Sequence, residues 1–158
     1  MMKKCRFAVI FLLSILLVSC GGGRSSLKDG YYSAIAADWD AYGWKEFITI
    51  CVSDGIITTV EYNAVNQGGY VKSWDTEYMR AMKAVSGVYP HVYTRYYAAE
   101  LIRTQGEGAI DVLTGATDSW NCFRQLTVGV LEHARRGDGT MALVPMEPLL
   151  AEEERAGE

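Results

Sequence analysis

Between Asp111 and Trp120 the chain reads DVLTGATDSW, with two threonine hydroxyls on either side of a Gly-Ala pair and an apolar helical period beginning directly afterwards. A Gly-Ala pair before a helix lets the backbone turn tightly and point successive N–H groups outward. The first helical turn adds unsatisfied donors and the positive end of the helix dipole. A phosphate esterified to the Thr117 hydroxyl would land in that anion site with no need for a basic side chain. The competing role for Thr117 or Thr114 is a simple N-cap.

Other chemistries find little support. No Ser/His/Asp or Cys/His set argues for hydrolysis, no Gly-rich phosphate loop appears, and no CxxC or Cys/His spacing suits a metal. His133 falls in the last turns of a helical stretch, where a cation suits the dipole, and His91 follows a proline. Cys51 and Cys122 are either two separate small core residues or a pair.

The elements that must position the motif follow from periodicity. DGYYSAIAAD reads as a first strand, and EFITICVS and IITTVEYN form a hairpin around Asp54-Gly55. In the second hairpin strand, period two places Ile56, Thr58, Val60 and Tyr62 on one face and Ile57, Thr59 and Glu61 on the other. After Gly68-Gly69 the period becomes helical. Ser73 is the expected N-cap, Asp75 and Glu77 lie in the first turn, and Tyr78, Met82 and Val85 share a face.

A second helix carries Tyr89, Val92, Tyr93, Tyr96 and Leu101, with Arg80, Arg95 and Arg103 on solvated faces. A third, from about Asp118 to Arg136, places Trp120, Phe123, Thr127, Val130, Leu131 and Ala134 together. Gly129 within it marks a close crossing against the sheet, and TMALVP returns as an edge strand. The expected fold class is α+β: a small antiparallel sheet from the N-terminal half, packed by about three helices in a single domain.

The 158 residues are 49% apolar and 22% charged, an ordinary globular composition. The first stretch, MMKKCRFAVIFLLSILLVSC, has the layout of a secretory leader, with Lys3, Lys4 and Arg6 ahead of an apolar run from Phe7 to Val18 that is short for a membrane span. Its end, LVSC followed by GGGRSS, resembles the bacterial lipoprotein cleavage box, which makes Cys20 the lipidated N-terminus. Two acyl chains there supply the anchoring that one alone does not.

The expected layout is a signal peptide over 1–19, a tether over 20–28, the domain over 29–144 and an acidic disordered tail over 145–158. Removing three basic residues from 15 leaves 12 against 19 acids, a net charge of about −7. That balance argues against a nucleic-acid partner.

The pattern Asp111-x-x-Thr114-Gly115-Ala116-Thr117-x-Ser119 resembles the flavinylation signature D-x-x-[ST]-G-A-T-x-[ST] of the FMN-binding domain family, which includes the flavin-bearing subunits of the Rnf complex and of the sodium-translocating NADH:quinone reductase. The resemblance extends over about residues 29–138 toward the single-domain major membrane immunogen lipoproteins, through DGYYSA, GWKEF, EYNA, KSWDTEYMRAM and ARRGD. It implies FMN joined through its phosphate to Thr117 by a Mg-dependent flavin transferase that uses FAD as donor.

An isoalloxazine ring needs an apolar wall and hydrogen bonds at its polar edge. Trp74, Tyr78, Tyr93 and Trp44 are the candidates for the wall, and the WDAYGW loop is an unusual place for large aromatics. Lys72, ahead of Lys45, is the candidate cation for a reduced ring.

The expected function is a membrane-anchored, extracytoplasmic electron-transfer flavoprotein, an electron carrier more than a stand-alone enzyme, with an unidentified redox donor and acceptor. The alternative is a surface lipoprotein acting as a non-covalent small-molecule binder or structural module. Only the flavin reading requires a hydroxyl at position 117.

Overall fold

The computed structural model describes residues 26–148. The signal peptide, Cys20, most of the tether and the tail from 149 onward lie outside the described residues. Strands β1 (Gly30–Ala36), β2 (Lys45–Ser53) and β3 (Ile56–Val65) form the antiparallel meander expected from the alternating segments. A short strand β4 (Ala142–Val144) adds to the edge beyond β1, giving the order β3-β2-β1-β4. It runs parallel to β1, so the sheet is mixed.

Period two in β2 sends Glu46, Ile48, Ile50 and Val52 into the core, while Phe47, Thr49 and Cys51 face the other way. In β3 the expected faces are broken by a bulge. Cys51 pairs with Thr59 but Val52 pairs with Ile57, leaving Thr58 as the extra residue. Its hydroxyl donates back to the Cys51 carbonyl at 3.2 Å. The inserted residue resets the alternation, so Ile57 joins Val60 and Tyr62 inside and Ile56 is left exposed.

Of three helices, the last two cover one face of the sheet. The first, α1 (Thr76–Ser86), is capped by Asp75, whose carboxylate accepts the Tyr78 N–H at 2.9 Å. The expected cap, Ser73, instead lies in a 3₁₀ turn, Lys72–Trp74, where it is buried against Asn63. No residue of α1 is fully buried, and Val85, expected in the apolar face, is 91% exposed. Helix α2 (Pro90–Thr104) buries Tyr93, Tyr97 and Leu101 along one line, with Val92 turned toward solvent.

Helix α3 (Thr117–Arg136) lies across β1, β2 and β4 and buries Phe123, Leu126, Val130, Leu131 and Ala134. A Cβ at Gly129 would meet Val144 Cγ2 at 2.8 Å, with Ala142 Cβ and Ala34 Cβ at 3.8 Å. The absence of a side chain there lets α3 approach the sheet edge. Gly129→Val is expected to cost about 2 kcal/mol in a denaturant titration, because a branched side chain must push β4 away. An unchanged midpoint would show that β4 yields freely.

The first residues beyond β4 are held. Glu147 N–H donates to Gln125 Oε1 at 2.8 Å, and its carbonyl accepts from Asn121 Nδ2 at 2.8 Å and Gln125 Nε2 at 2.9 Å.

Candidate functional site

The motif forms a tight turn that delivers the chain into α3. Gly115 has φ +86°, and a Cβ there would sit 3.0 Å from the Ser86 carbonyl, so only glycine lets the turn lie against the end of α1. The turn closes with Ala116 N–H to Leu113 O at 2.9 Å. Tyr97 braces it from the core: its hydroxyl accepts the Leu113 N–H at 3.2 Å and donates to Ala116 O at 3.4 Å. Trp120 Nε1 donates to Ile110 O at 3.1 Å and ties down the preceding segment.

Ala116 occupies the cap position of α3, and no side chain caps this end among the described residues. Neither threonine therefore plays the capping role. Thr114 and Thr117 are both exposed, as are Asp111 and Gly115, while Ala116 and Ser119 are buried. The result is a rigid turn with a solvent-facing hydroxyl in the first turn of a 20-residue helix. Its leading N–H groups are available to an anion.

Beneath this turn lies a buried polar cluster. Tyr62, fully buried on β3, reaches both Glu46 Oε2 and the Ser119 carbonyl, the latter at 2.7 Å. One phenolic proton cannot serve two acceptors. With Glu46 protonated, the acid donates to Tyr62 and Tyr62 donates to Ser119, so every member is satisfied. The electrostatics agree: burial pushes the Glu46 carboxyl up to about 7, against the opposing pull of Lys72 and the Tyr62 hydroxyl. Burial also pushes the Cys122 thiol up to about 12, with Glu46 adding to the shift.

Lys72 is only 5% exposed. Its Nζ lies 3.9 Å from Glu46 Oε1, 5.7 Å from the Trp44 ring centre and 5.2 Å from that of Tyr78. The two rings meet edge to face at 6.1 Å. The 3₁₀ turn holds the lysine there because Asn63 Nδ2 donates to Ser73 Oγ at 2.8 Å and Asn63 Oδ1 accepts the Ser73 N–H at 3.3 Å.

Of the candidates for a ring site, Lys72, Tyr78 and Trp44 thus come together, with Tyr93 buried in the neighbouring core. Trp74 stands apart, 64% exposed and edge-on to Tyr70 at 6.4 Å. Lys45 is diverted to the Ala37 carbonyl at 2.8 Å and the Trp39 ring.

Over 138 residues the sequence is 38% identical to the 15 kDa lipoprotein of Treponema pallidum (strain Nichols), a match that spans 87% of this chain and 95% of that protein. The chain belongs to this lipoprotein family. The crystal structure of the CPE2226 protein from Clostridium perfringens has the same fold, with a TM-score of 0.73 and 40% sequence identity over 77% of this chain and 99% of that one. No protein-family model matches the sequence. Among the described residues of this lipoprotein-family chain, no helix is long and apolar enough to cross a membrane.

Glu46 and Tyr62 were not among the candidate site residues read from sequence, where Tyr62 entered only as one face of a strand. An acid at an inward position of an alternating strand, as in KEFITICV, is the signal that marks Glu46. Cys51 and Cys122 are both free. The sheet separates them, since Cys51 points away from the helices and Cys122 lies on α3 near Glu46.

Proposed function

We propose that this family member is a lipid-anchored, extracytoplasmic flavoprotein that carries FMN covalently on Thr117 and passes electrons between redox partners. The observation that carries the reading is the exposed Thr117 hydroxyl in the uncapped first turn of α3, on a turn braced by Tyr97 and Trp120. The likeness of Asp111 to Ser119 to the flavinylation signature supplies the chemistry. Thr117 Oγ1 loses its proton and forms a bond to the FMN phosphorus of FAD, the bond to the AMP phosphate breaks, and AMP leaves. A Mg-dependent flavin transferase would catalyse that step.

The residues present suit such a group. The free N–H donors of the α3 start would hold the phosphate, and the exposed Thr114, Gly115 and Asp111 give a transferase a surface to recognise. Ala116 and Ser119 point inward and fix the turn. Lys72, set between Trp44 and Tyr78, is a buried cation that would favour negative charge on a nearby ring, and the exposed Trp74 offers a wall from outside. The flavin itself supplies the electron chemistry. Cys20 would carry the lipid that keeps the domain at a bacterial cell or outer membrane.

Intact mass and visible absorbance after co-expression with a flavin transferase test the assignment. The wild-type chain is expected to gain one FMN less water and a flavin spectrum, and Thr117→Val to gain neither. An unmodified wild-type chain beside an active transferase control overturns the reading, and an adduct retained by the valine variant moves the site to Thr114.

A further inference from the structure

Glu46 and Lys72 are buried together at the start of α3, where the surrounding groups cannot satisfy both at once. Lys72 Nζ lies 3.9 Å from Glu46 Oε1, and Tyr62 links Glu46 Oε2 to the carbonyl of Ser119, two residues past Thr117. With Glu46 ionised, Lys72 has its counter-ion, but the single Tyr62 proton is claimed by two acceptors. With Glu46 protonated, the hydrogen-bonded chain is complete and Lys72 loses its counter-ion. No other acid pairs with it among the described residues. A buried ammonium between Trp44 and Tyr78 with no anion beside it is costly.

Each protonation state therefore lacks one thing, and a negative charge placed beside Lys72 supplies it. Glu46 then keeps its proton, Tyr62 serves Ser119, and Lys72 is balanced. Proton and anion favour each other by linkage.

No other group of the cluster is suited to take the proton near neutrality. Burial pushes Tyr62 on β3 and Tyr93 on α2 up, and Cys122 on α3 up to about 12, so all three already hold their protons there. Asp40, from the loop between β1 and β2, and Asp118, from the first turn of α3, also act on the cluster. Glu46 alone is poised at about 7.

Resting on the assignment of FMN to Thr117, we propose that Glu46 is the proton-coupling group of the flavin site, acting through Lys72. Two electrons from the redox donor and one proton reach the ring and leave one negative charge beside Lys72. A second proton passes from solvent to the Glu46 carboxylate, where a new O–H bond forms. Glu46 is a positioning residue for charge, and Lys72 carries its effect to the ring.

Two measurements test the coupling. In the flavin-free protein, the Glu46 carboxyl followed by ¹³C NMR is expected to titrate at a higher pH in Lys72→Met than in wild type, because the cation that favours the carboxylate is gone. An unmoved midpoint overturns the pairing of the two groups. In the FMN-loaded protein, the midpoint potential between pH 7 and 8 is expected to fall more steeply in wild type than in Glu46→Gln. One added proton per two electrons is about 30 mV per tenfold change in proton concentration, which sets the upper limit of the difference per pH unit. Below about pH 6 the two slopes should converge, since Glu46 is protonated in both redox states.

Lys72→Met is expected to lose the extra slope as well, because its Glu46 is already protonated before reduction. Equal slopes for wild type and Glu46→Gln, in protein whose mass shows the adduct, overturn the coupling and leave the flavin assignment standing. An absent adduct is the failure of the Thr117 assignment; it shows in the mass before any potential is read and removes this inference with it, even where Glu46 still titrates against Lys72.

Discussion

Between pH 4.5 and 7, wild-type protein is expected to lose about 3 kcal/mol of stability relative to Glu46→Gln. The carboxyl is held up to about 7 by burial, so over this window the folded state binds a proton that the unfolded chain releases. Stability therefore falls as pH rises through the window and levels off above it. Below 4.5 both states are protonated and the two proteins should differ little.

Glutamine serves as the comparison because its amide can donate to Tyr62 as the neutral acid does, preserving the path to Ser119. Lys72, Tyr93, Cys122, Asp40 and Asp118 all act on the cluster and are present in both proteins. Urea titrations of the pair from pH 4 to 8 isolate the Glu46 contribution. Parallel curves would mean that Lys72 keeps the carboxylate ionised.

Phe123→Ala is expected to destabilise the fold by roughly 4 kcal/mol and to loosen the motif turn. Phe123 is fully enclosed, stacked on Tyr97 at 5.1 Å with 18° between the rings and edge-on to Tyr62 at 5.1 Å. Tyr97 holds the turn and Tyr62 holds the Ser119 carbonyl, so one ring supports both attachments. Amide exchange should accelerate at Leu113 and Ala116 by more than at β2, whose bonds to β1 and β3 are independent of that ring. Uniform acceleration would show that the turn has no local dependence on Phe123.

Much of this architecture was legible because its signals are local. Asp54-Gly55 turns the hairpin with both residues at positive φ, alternation defines β1 and β2, and Gly137 ends α3 in the left-handed conformation. The errors lie where a single residue changes phase. Thr58 enters as a bulge and exchanges Ile56 for Ile57 in the core, and a 3₁₀ turn takes Ser73 inward so that Asp75 caps α1. Neither alters composition or average period, so neither shows in the pattern. Val85 fits a helical stripe, yet α1 lies at the margin of the fold and little reaches it.

The sequence by itself determined the α+β class, the hairpin, the three helices, the close crossing at Gly129 and the position of the motif at the start of the last helix. These follow from backbone preference and from which residues avoid water, properties each segment carries alone. Only the tertiary structure decided that β4 runs parallel to β1, that neither Thr114 nor Thr117 caps α3, and that Lys72 rather than Lys45 is buried among aromatics. It also joined Glu46, Tyr62 and Ser119, from two strands and a helix, into one hydrogen-bonded chain. Such a contact depends on the distance between segments far apart in sequence, and packing alone sets that distance.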